Sequence, residues 1–142
     1  MAGPLRHVYE TVIATTPERL WRAITRLELV QKYFYDMRLK TTLEPGAPIE
    51  YVGRDGKAVI TGRVVKVVPR KLLVHTFAFE DAKDPESRVT YKIEKAGRAV
   101  RLTLIHDRFP RKTRTYRSVR GGWVPILSGL KTFLETGKRL VM

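Results

Sequence analysis

The sequence contains no cysteine, and this absence excludes several kinds of chemistry. Without thiols the chain can form no disulfide scaffold, no thiolate metal site and no cysteine nucleophile. Long hydrophobic runs are also missing, since no stretch approaches the roughly 18 apolar residues that a membrane-spanning helix needs. The segment from Met1 to His7 lacks the apolar core of a secretory signal. Together these absences predict a cytoplasmic protein.

Acidic residues are scarce relative to basic ones. The chain has 28 Lys and Arg against 14 Asp and Glu, which gives a formal net charge of +14. Such an excess favours contact with polyanions or anionic membrane surfaces. The positive charges are nevertheless spread along the whole chain, as they would be on a basic surface with no dedicated partner. Both interpretations stay open.

The densest basic run spans Arg108–Arg120, and aromatic side chains interrupt it at Phe109 and Tyr116. No recognised nucleic-acid-binding module accompanies the run. We interpret it as a solvated connection before the last helix. Any polyanion contact through it is predicted to be weak and non-specific, because contacts of Arg and Lys with phosphates carry no sequence information.

The length of 142 residues suits one domain with one hydrophobic core. The hydrophobic fraction of 43% is ordinary for a globular protein. We therefore predict a single domain over residues 1–142, present as a monomer or a homodimer.

The first part of the chain predicts a strand followed by two short helices. Alternating residues from Leu5 to Ala14 are typical of a strand. The segment Thr16-Pro17-Glu18 then has the features of a helix start, because Thr can cap, Pro has its φ preset and Glu suits the positive end of the helix dipole. A second short helix is predicted from about 28 to 34.

Residues 37–107 show the rhythm of an antiparallel meander. Turn signals recur between short runs that are rich in Val, Ile, Leu, Thr, Tyr and Phe. The predicted strands lie near 37–43, 48–53, 57–68, 72–80, 87–95 and 98–107. Within this region, Asp55-Gly56 is a signal for a two-residue hairpin loop.

Near Trp123 the hydrophobic period changes from two to about 3.6 residues, which marks a long C-terminal helix. Its apolar stripe consists of Trp123, Ile126, Leu127, Leu130, Phe133 and Leu134. Gly137, followed by Lys138 and Arg139, is typical of a helix end. The helix and one face of the meander must both bury apolar surface, so we expect a sheet of six to seven strands curved around the helix.

Motifs along nearly the whole chain resemble the activator-of-heat-shock-protein-ATPase family of the START-like (SRPBCC) superfamily. They include the helix start Thr16–Ile24, the segment Pro69–Leu72 and the strand Arg101–His106, and the most specific is Gly122-Trp123 followed by Leu134–Gly137. The resemblance implies an α+β helix-grip fold, in which a curved antiparallel sheet surrounds the C-terminal helix and two small helices close one end. It also implies a ligand-sized cavity between helix and sheet. Because this fold hosts binders, cyclases and hydrolases, the fold alone does not determine the function.

The period of the strands predicts which side chains would line such a cavity. Alternation places an inward face on each strand, and a pocket typically combines apolar walls with a few placed polar groups. The residues expected on the sheet side are His75, Phe77, Tyr91, Leu104 and His106. Those expected on the helix side are Trp123, Leu127 and Leu130, with Trp21 and Tyr33 at the opening.

Three functions stay open at this point. The leading hypothesis is a module that binds or carries a small apolar or aromatic molecule and needs no cofactor. The second is a cavity enzyme of cyclase or hydrolase type that acts through His75, His106 or Tyr91. The third is a co-chaperone-like module that binds another protein through its basic surface. The histidines, which include His7, are too scattered to indicate a metal site.

Overall fold

The computed structural model describes residues 5–141 of the chain. The segment from Met1 to Pro4, part of the N-terminal region without a signal core, lies outside the described residues. The elements are β1 Leu5–Ile13, α1 Pro17–Thr25, α2 Leu27–Val30, β2 Arg38–Thr41, β3 Pro48–Val52, β4 Ala58–Val68, β5 Leu72–Phe79, β6 Ser87–Ala96, β7 Ala99–Phe109 and α3 Arg114–Thr136. Their order is the one that the sequence pattern predicts.

The strands form an antiparallel sheet in the order β1-β7-β6-β5-β4-β3-β2. From β2 onward each strand pairs with the next one in the chain. β1 pairs with β7 and forms the edge of the sheet opposite β2. Irregular register in β1, β3 and β4 helps the sheet to bend, since a bulge increases local twist. The predicted helix-grip fold is confirmed.

Gly62 allows β4 and β5 to approach each other closely. A Cβ atom at this position would lie 2.0 Å from the backbone oxygen of Thr76 in β5. The side chain of Thr76 occupies the space beside Gly62, where its Oγ1 accepts a hydrogen bond of 2.8 Å from the Arg63 amide. A larger residue at 62 would therefore push β4 away from β5 where the sheet bends.

Helix α3 lies across the concave face of the sheet and buries one side against it. Its buried residues are Thr115, Val119, Trp123, Ile126, Leu127, Gly129, Leu130 and Leu134. The Thr113 side chain accepts a hydrogen bond from the Tyr116 amide at the first turn, and Gly137 ends the helix with φ of 76°. Both ends are thus satisfied by ordinary caps, as a helix of this length requires.

Side chains of α3 also cover the free edge of β1. The Ala14 amide donates a 2.8 Å hydrogen bond to Glu135, and Lys131 donates to the Val12 carbonyl. An unpaired strand edge can pair with other chains, so this cover protects it.

The basic run Arg108–Arg120 is not a solvated connection, as the sequence had suggested. Helix α3 begins at Arg114, and Arg108 belongs to β7. Cations are unfavourable at the positive end of a helix dipole. Asp84 offsets this effect, because its Oδ2 accepts hydrogen bonds of 2.8 Å from both the amide and the hydroxyl of Thr115. These hydrogen bonds lower the pKa of the Asp84 carboxyl group.

Two local predictions are wrong. Helix α2 ends at Val30 rather than near residue 34, because the amides of Lys32 and Tyr33 donate to the carbonyl groups three residues before them, in turns tighter than those of an α-helix. Tyr35 and Asp36 then take up positive φ angles of 51° and 59°. Residues 53–57 separate β3 from β4, so Asp55-Gly56 is not a two-residue hairpin loop. There the Asp55 carboxylate accepts a 3.0 Å hydrogen bond from the Lys57 amide and stabilises the longer loop.

The basic residues after α3 do not serve the helix dipole as predicted. The last turn of α3 carries no basic residue. Arg139 instead forms a 2.6 Å ion pair with Asp36, in the segment between α2 and β2. The chain end thereby contacts the loop that precedes β2.

Candidate functional site

An apolar cavity of about 210 Å³ lies between α3 and the sheet. Its walls come from the segment after α2, from β4 and β5, and from the N-terminal half of α3. The lining residues are Phe34, Tyr35, Met37, Ile60, Phe77, Phe79, Ser118, Val119, Gly122, Trp123 and Ile126. Tyr35 is 54% exposed, so the cavity reaches the surface beside it. Its hydroxyl donates a 2.7 Å hydrogen bond to the Gly122 carbonyl and joins the two sides of the opening.

The cavity is small. Pockets for drug-sized ligands usually have volumes of roughly 300–1,000 Å³, whereas an engineered cavity of about 150 Å³ in another protein admits benzene. A volume of about 210 Å³ therefore suits one substituted ring or a short aliphatic chain.

Two residues that the sequence places at the ligand, Phe77 and Trp123, line this cavity. Leu104 and Leu130 are instead fully enclosed by the core. Leu127 lines a separate groove between β1 and α3. The position of Leu127 on the apolar stripe does not show whether its side chain faces the cavity or this groove, because adjacent residues on a helix face different neighbours.

The two residues expected at the opening lie elsewhere. Trp21 is partly buried and packs against the core from α1. Tyr33 is buried, and its hydroxyl donates a 2.8 Å hydrogen bond to the Ala23 carbonyl. The aromatic ring at the opening belongs to Tyr35, two residues further along the chain.

The α3 wall consists of Ser118, Val119, Gly122 and Ile126 beside Trp123, and of these the sequence places only Trp123 at the ligand. Ile126 belongs to the predicted apolar stripe. Ser118, Val119 and Gly122 precede it at spacings of three and four residues, so a helix that begins at Arg114 places them on the same face. Phe79 shares the inward phase of Phe77 on β5, which was a usable signal. Ile60 lies near the start of β4, where the alternation of apolar residues does not indicate that it lines the cavity.

His106 belongs to a buried chain of hydrogen bonds that begins at Trp123. The Trp123 indole Nε1 donates to His106 Nδ1 over 3.0 Å. Because an indole N–H can only donate, Nδ1 must be the unprotonated nitrogen of the ring. The neutral ring therefore carries its proton on Nε2, which lies 2.6 Å from Ser87 Oγ and donates to it. Ser87 in turn donates to the Phe77 carbonyl over 3.3 Å.

This direction of donation matters for catalysis. A histidine that activates a serine must present a lone pair to the hydroxyl, whereas His106 presents its N–H to Ser87. Burial also lowers the pKa of His106 to about 3, so the ring is neutral at physiological pH. The chain of hydrogen bonds orients Trp123 in the cavity wall and does not prepare Ser87 as a nucleophile.

His75 and Tyr91 lie one layer deeper than the cavity. The His75 ring centroid is 6.0 Å from that of Tyr51 and 6.2 Å from that of Tyr91. Burial lowers the pKa of His75 to about 4 and raises the pKa of Tyr51 to about 12. Burial also raises the pKa of Tyr91 well above its ordinary value. These groups are therefore neutral at physiological pH, and their hydrogen-bonding capacity matters more than their charge.

A larger groove of about 930 Å³ lies at the opposite end of β5, beside the start of α1. It combines an apolar floor, which includes Pro17, Leu72 and Ile93, with a rim of charged side chains. Arg70 and Glu18 approach to 3.7 Å across this rim, where both side chains are largely exposed. An open groove with a screened ion pair encloses a small apolar ligand less well than the smaller cavity does.

Between Leu5 and Val141, no helix is both long and apolar enough to cross a membrane. Over the same residues, no group of three or more His, Asp or Glu side chains is arranged to hold a metal ion.

Solved structures share this architecture. DynU16, a protein from the dynemicin biosynthetic locus, has a TM-score of 0.82 and 22% identity, and the match covers 96% of this chain and 49% of DynU16. The chain thus spans about half the length of that relative. The Aha1 dimer from Colwellia psychrerythraea has a TM-score of 0.78 and 19% identity, with 94% of this chain and 98% of that one covered.

PFC0360w, an HSP90 activator from Plasmodium falciparum, has a TM-score of 0.77 and 17% identity, with 92% and 96% of the two chains covered. At such identities these likenesses show the fold alone. No curated protein sequence matches the chain. The family model described as Activator of Hsp90 ATPase homolog 1-like protein matches residues 14–135, which is most of the chain. The protein therefore belongs to the Activator of Hsp90 ATPase homolog 1-like family.

Proposed function

We propose that this protein binds or carries a small apolar molecule in the cavity beneath α3. The observation that supports this most strongly is the cavity itself, where side chains from α3 and the sheet leave about 210 Å³ unfilled. Apolar groups dominate its walls, and neutral or fully hydrogen-bonded groups lie behind them. Such a site gains free energy mainly by removing apolar ligand surface from water.

The size of the cavity limits the expected affinity. Burying about six ligand carbons contributes roughly 5 kcal/mol before the costs of association are subtracted. Even before those costs, roughly 5 kcal/mol corresponds to a Kd of about 0.2 mM, so a single-ring ligand without further contacts should bind more weakly than this. Tighter binding requires a polar contact in addition to the apolar one.

The cavity-enzyme alternative has less support from this geometry. Its candidate base His106 donates its proton toward Ser87, and burial keeps the pKa of that ring near 3. His75 lies behind the cavity wall and is also neutral at physiological pH. Binding without chemistry therefore fits the described side chains better than hydrolysis or cyclisation.

Two neighbouring glycines in α3 provide a matched test. Gly122 lines the cavity, and a Cβ there would meet only the Tyr35 hydroxyl, at 4.0 Å. Gly121 is exposed, and a Cβ there would meet nothing within 4 Å. Gly122→Leu should fill the cavity, whereas Gly121→Leu should leave it empty. Both changes improve helix propensity by a similar amount, so the comparison isolates the effect of filling.

Toluene is a suitable probe, and binding can be followed by amide chemical-shift changes in NMR spectra. We expect saturable shifts in the wild type and in Gly121→Leu, and no saturable shifts in Gly122→Leu. Circular dichroism and thermal unfolding of the three proteins will confirm that all are folded. Equal toluene binding by the two variants, or none by the wild type, would show that the cavity does not serve as the binding site.

A further inference from the structure

His75 carries a buried hydrogen-bond acceptor that the fold leaves without a donor. The side chain is 1% exposed, and its Nδ1 lies 2.7 Å from the Thr76 carbonyl. Because a carbonyl can only accept, Nδ1 carries the proton and Nε2 has a free lone pair. Among residues 5–141, no protein group hydrogen-bonds to Nε2. A buried acceptor without a donor loses the hydrogen bond that water would supply in the unfolded chain.

Aromatic rings connect this acceptor with the cavity. Phe34 lines the cavity and stacks on Tyr51 with a centroid distance of 4.4 Å, and Tyr51 borders the His75 ring. Trp123 lines the same cavity and meets Tyr91 edge-on at 6.2 Å, on the other side of His75. One layer of aromatic side chains thus separates the empty volume from the imidazole.

Phe34 and Trp123 differ in how firmly they are held. Trp123 is tied to His106 by the hydrogen bond from its indole nitrogen. Phe34 has no polar atom, and it precedes the residues with positive φ, Tyr35 and Asp36. A rotamer change of Phe34 requires no broken hydrogen bond, so it is the side chain that can move to admit a ligand toward His75.

We propose that His75 Nε2 accepts a hydrogen bond from a hydroxyl group on the ligand, so that the preferred ligands are neutral single-ring molecules with a donor, of which phenol is the simplest. This inference rests on the proposed function, because a ligand would reach His75 through the same cavity, past the aromatic layer that separates the two. The tyrosines that border His75 keep their protons at neutral pH, since burial raises the pKa of both Tyr51 and Tyr91. They therefore leave the surroundings of His75 without charge.

The same geometry discriminates against anions. A carboxylate would bring its own lone pairs to the bare Nε2 and would have to leave water for a buried aromatic layer. A methyl ether keeps the oxygen atom but cannot donate, and it is larger than a hydroxyl group by one methylene. Phenol, anisole and benzoate are thus three single-ring probes that differ in donation, apolar size and charge, and comparing the same ratio in each variant cancels the difference in size between phenol and anisole.

The test compares phenol with anisole in the wild type, His75→Phe and His7→Phe. The control residue His7 lies on β1, where its ring stacks on Tyr116 at 4.4 Å. We expect the ratio of the anisole Kd to the phenol Kd to fall about fivefold in His75→Phe and to stay unchanged in His7→Phe. Benzoate should bind most weakly to the wild type at physiological salt. An unchanged ratio in His75→Phe, or tighter binding of benzoate than of phenol, would overturn the proposal.

A second measurement needs no variant and covers the case in which His75→Phe fails to fold. The chain has only three histidines, so their ring nitrogens can be assigned by NMR. The unprotonated Nε2 of His75 should shift when phenol saturates the wild type and should stay in place with anisole. If anisole binds and phenol leaves Nε2 unaffected, the donor site is refuted while the cavity function stands. If none of the probes binds, both are refuted.

Discussion

Replacing Trp123 with Phe removes a hydrogen-bond donor from the centre of the buried chain. The Trp123 Nε1 proton is the partner of His106 Nδ1 at 3.0 Å, and the two residues are 2% and 0% exposed. In Trp123→Phe the benzene ring cannot donate, so Nδ1 becomes a buried acceptor without a partner. This loss should cost about 1–3 kcal/mol. The smaller ring adds roughly 1 kcal/mol through lost apolar burial.

The free energy of unfolding should therefore fall by about 3 kcal/mol in Trp123→Phe, measured by urea denaturation with linear extrapolation. The matched background is His106→Phe, which has no ring nitrogen to leave unpaired. In that background the same change at Trp123 should cost about 1 kcal/mol or less, because only the difference in ring size remains. Equal costs in the two backgrounds would refute the hydrogen-bond chain as described.

Three further predictions concern acid, backbone spacing and surface charge. Burial lowers the pKa of His75 and His106 to about 4 and about 3, so the unfolded chain binds more protons below its own histidine pKa near 6.5. Stability should therefore be constant above about pH 7 and fall by roughly 5 kcal/mol by pH 4.5, in urea titrations across this range. Gly62→Ala should lower the free energy of unfolding by more than about 2 kcal/mol, because its Cβ would meet the Thr76 carbonyl at 2.0 Å, whereas Gly121→Ala should not. Two unrelated DNA duplexes should bind equally weakly at low salt and lose binding at physiological salt. The first prediction would be contradicted if replacing His75 and His106 left the loss of stability in acid unchanged. The second would be contradicted if Gly62→Ala had the same free energy of unfolding as the wild type, and the third if the protein discriminated between the two duplexes.

The sequence predicts the sheet well because period-two alternation is a local property. Leu102, Leu104 and His106 share one phase of β7, and the structure buries all three while the residues between them are partly exposed. The start of α3 has a local cap in Thr113, but its charged partner is distant in sequence. Asp84 hydrogen-bonds to Thr115 across 31 positions, and no local pattern shows that contact. The arginines in the first turns of α3 also interrupt the apolar positions, so the helical period is weak in that part of the sequence.

The cavity was harder to predict than the fold. Alternation identifies which side chains face inward, and it placed both Phe77 and Leu104 there. Only the curvature of the sheet and the tilt of α3 decide that Phe77 meets empty space while Leu104 meets packed neighbours. The hydrogen-bond direction at His106 likewise depends on Trp123, which lies 17 positions away on α3. The position of the cavity and the direction of this hydrogen bond are determined by tertiary packing, and the sequence of a single strand or helix does not show them.

The location of a bound ring tests the central claim most directly. Intermolecular nuclear Overhauser effects should be measured between the toluene methyl group and the protein. We predict contacts with Phe77, Trp123 and Ile126, which line the cavity from both sides. Contacts confined to Val8 and Val124 would place the ligand in the groove between β1 and α3, and would contradict a binding site beneath the helix.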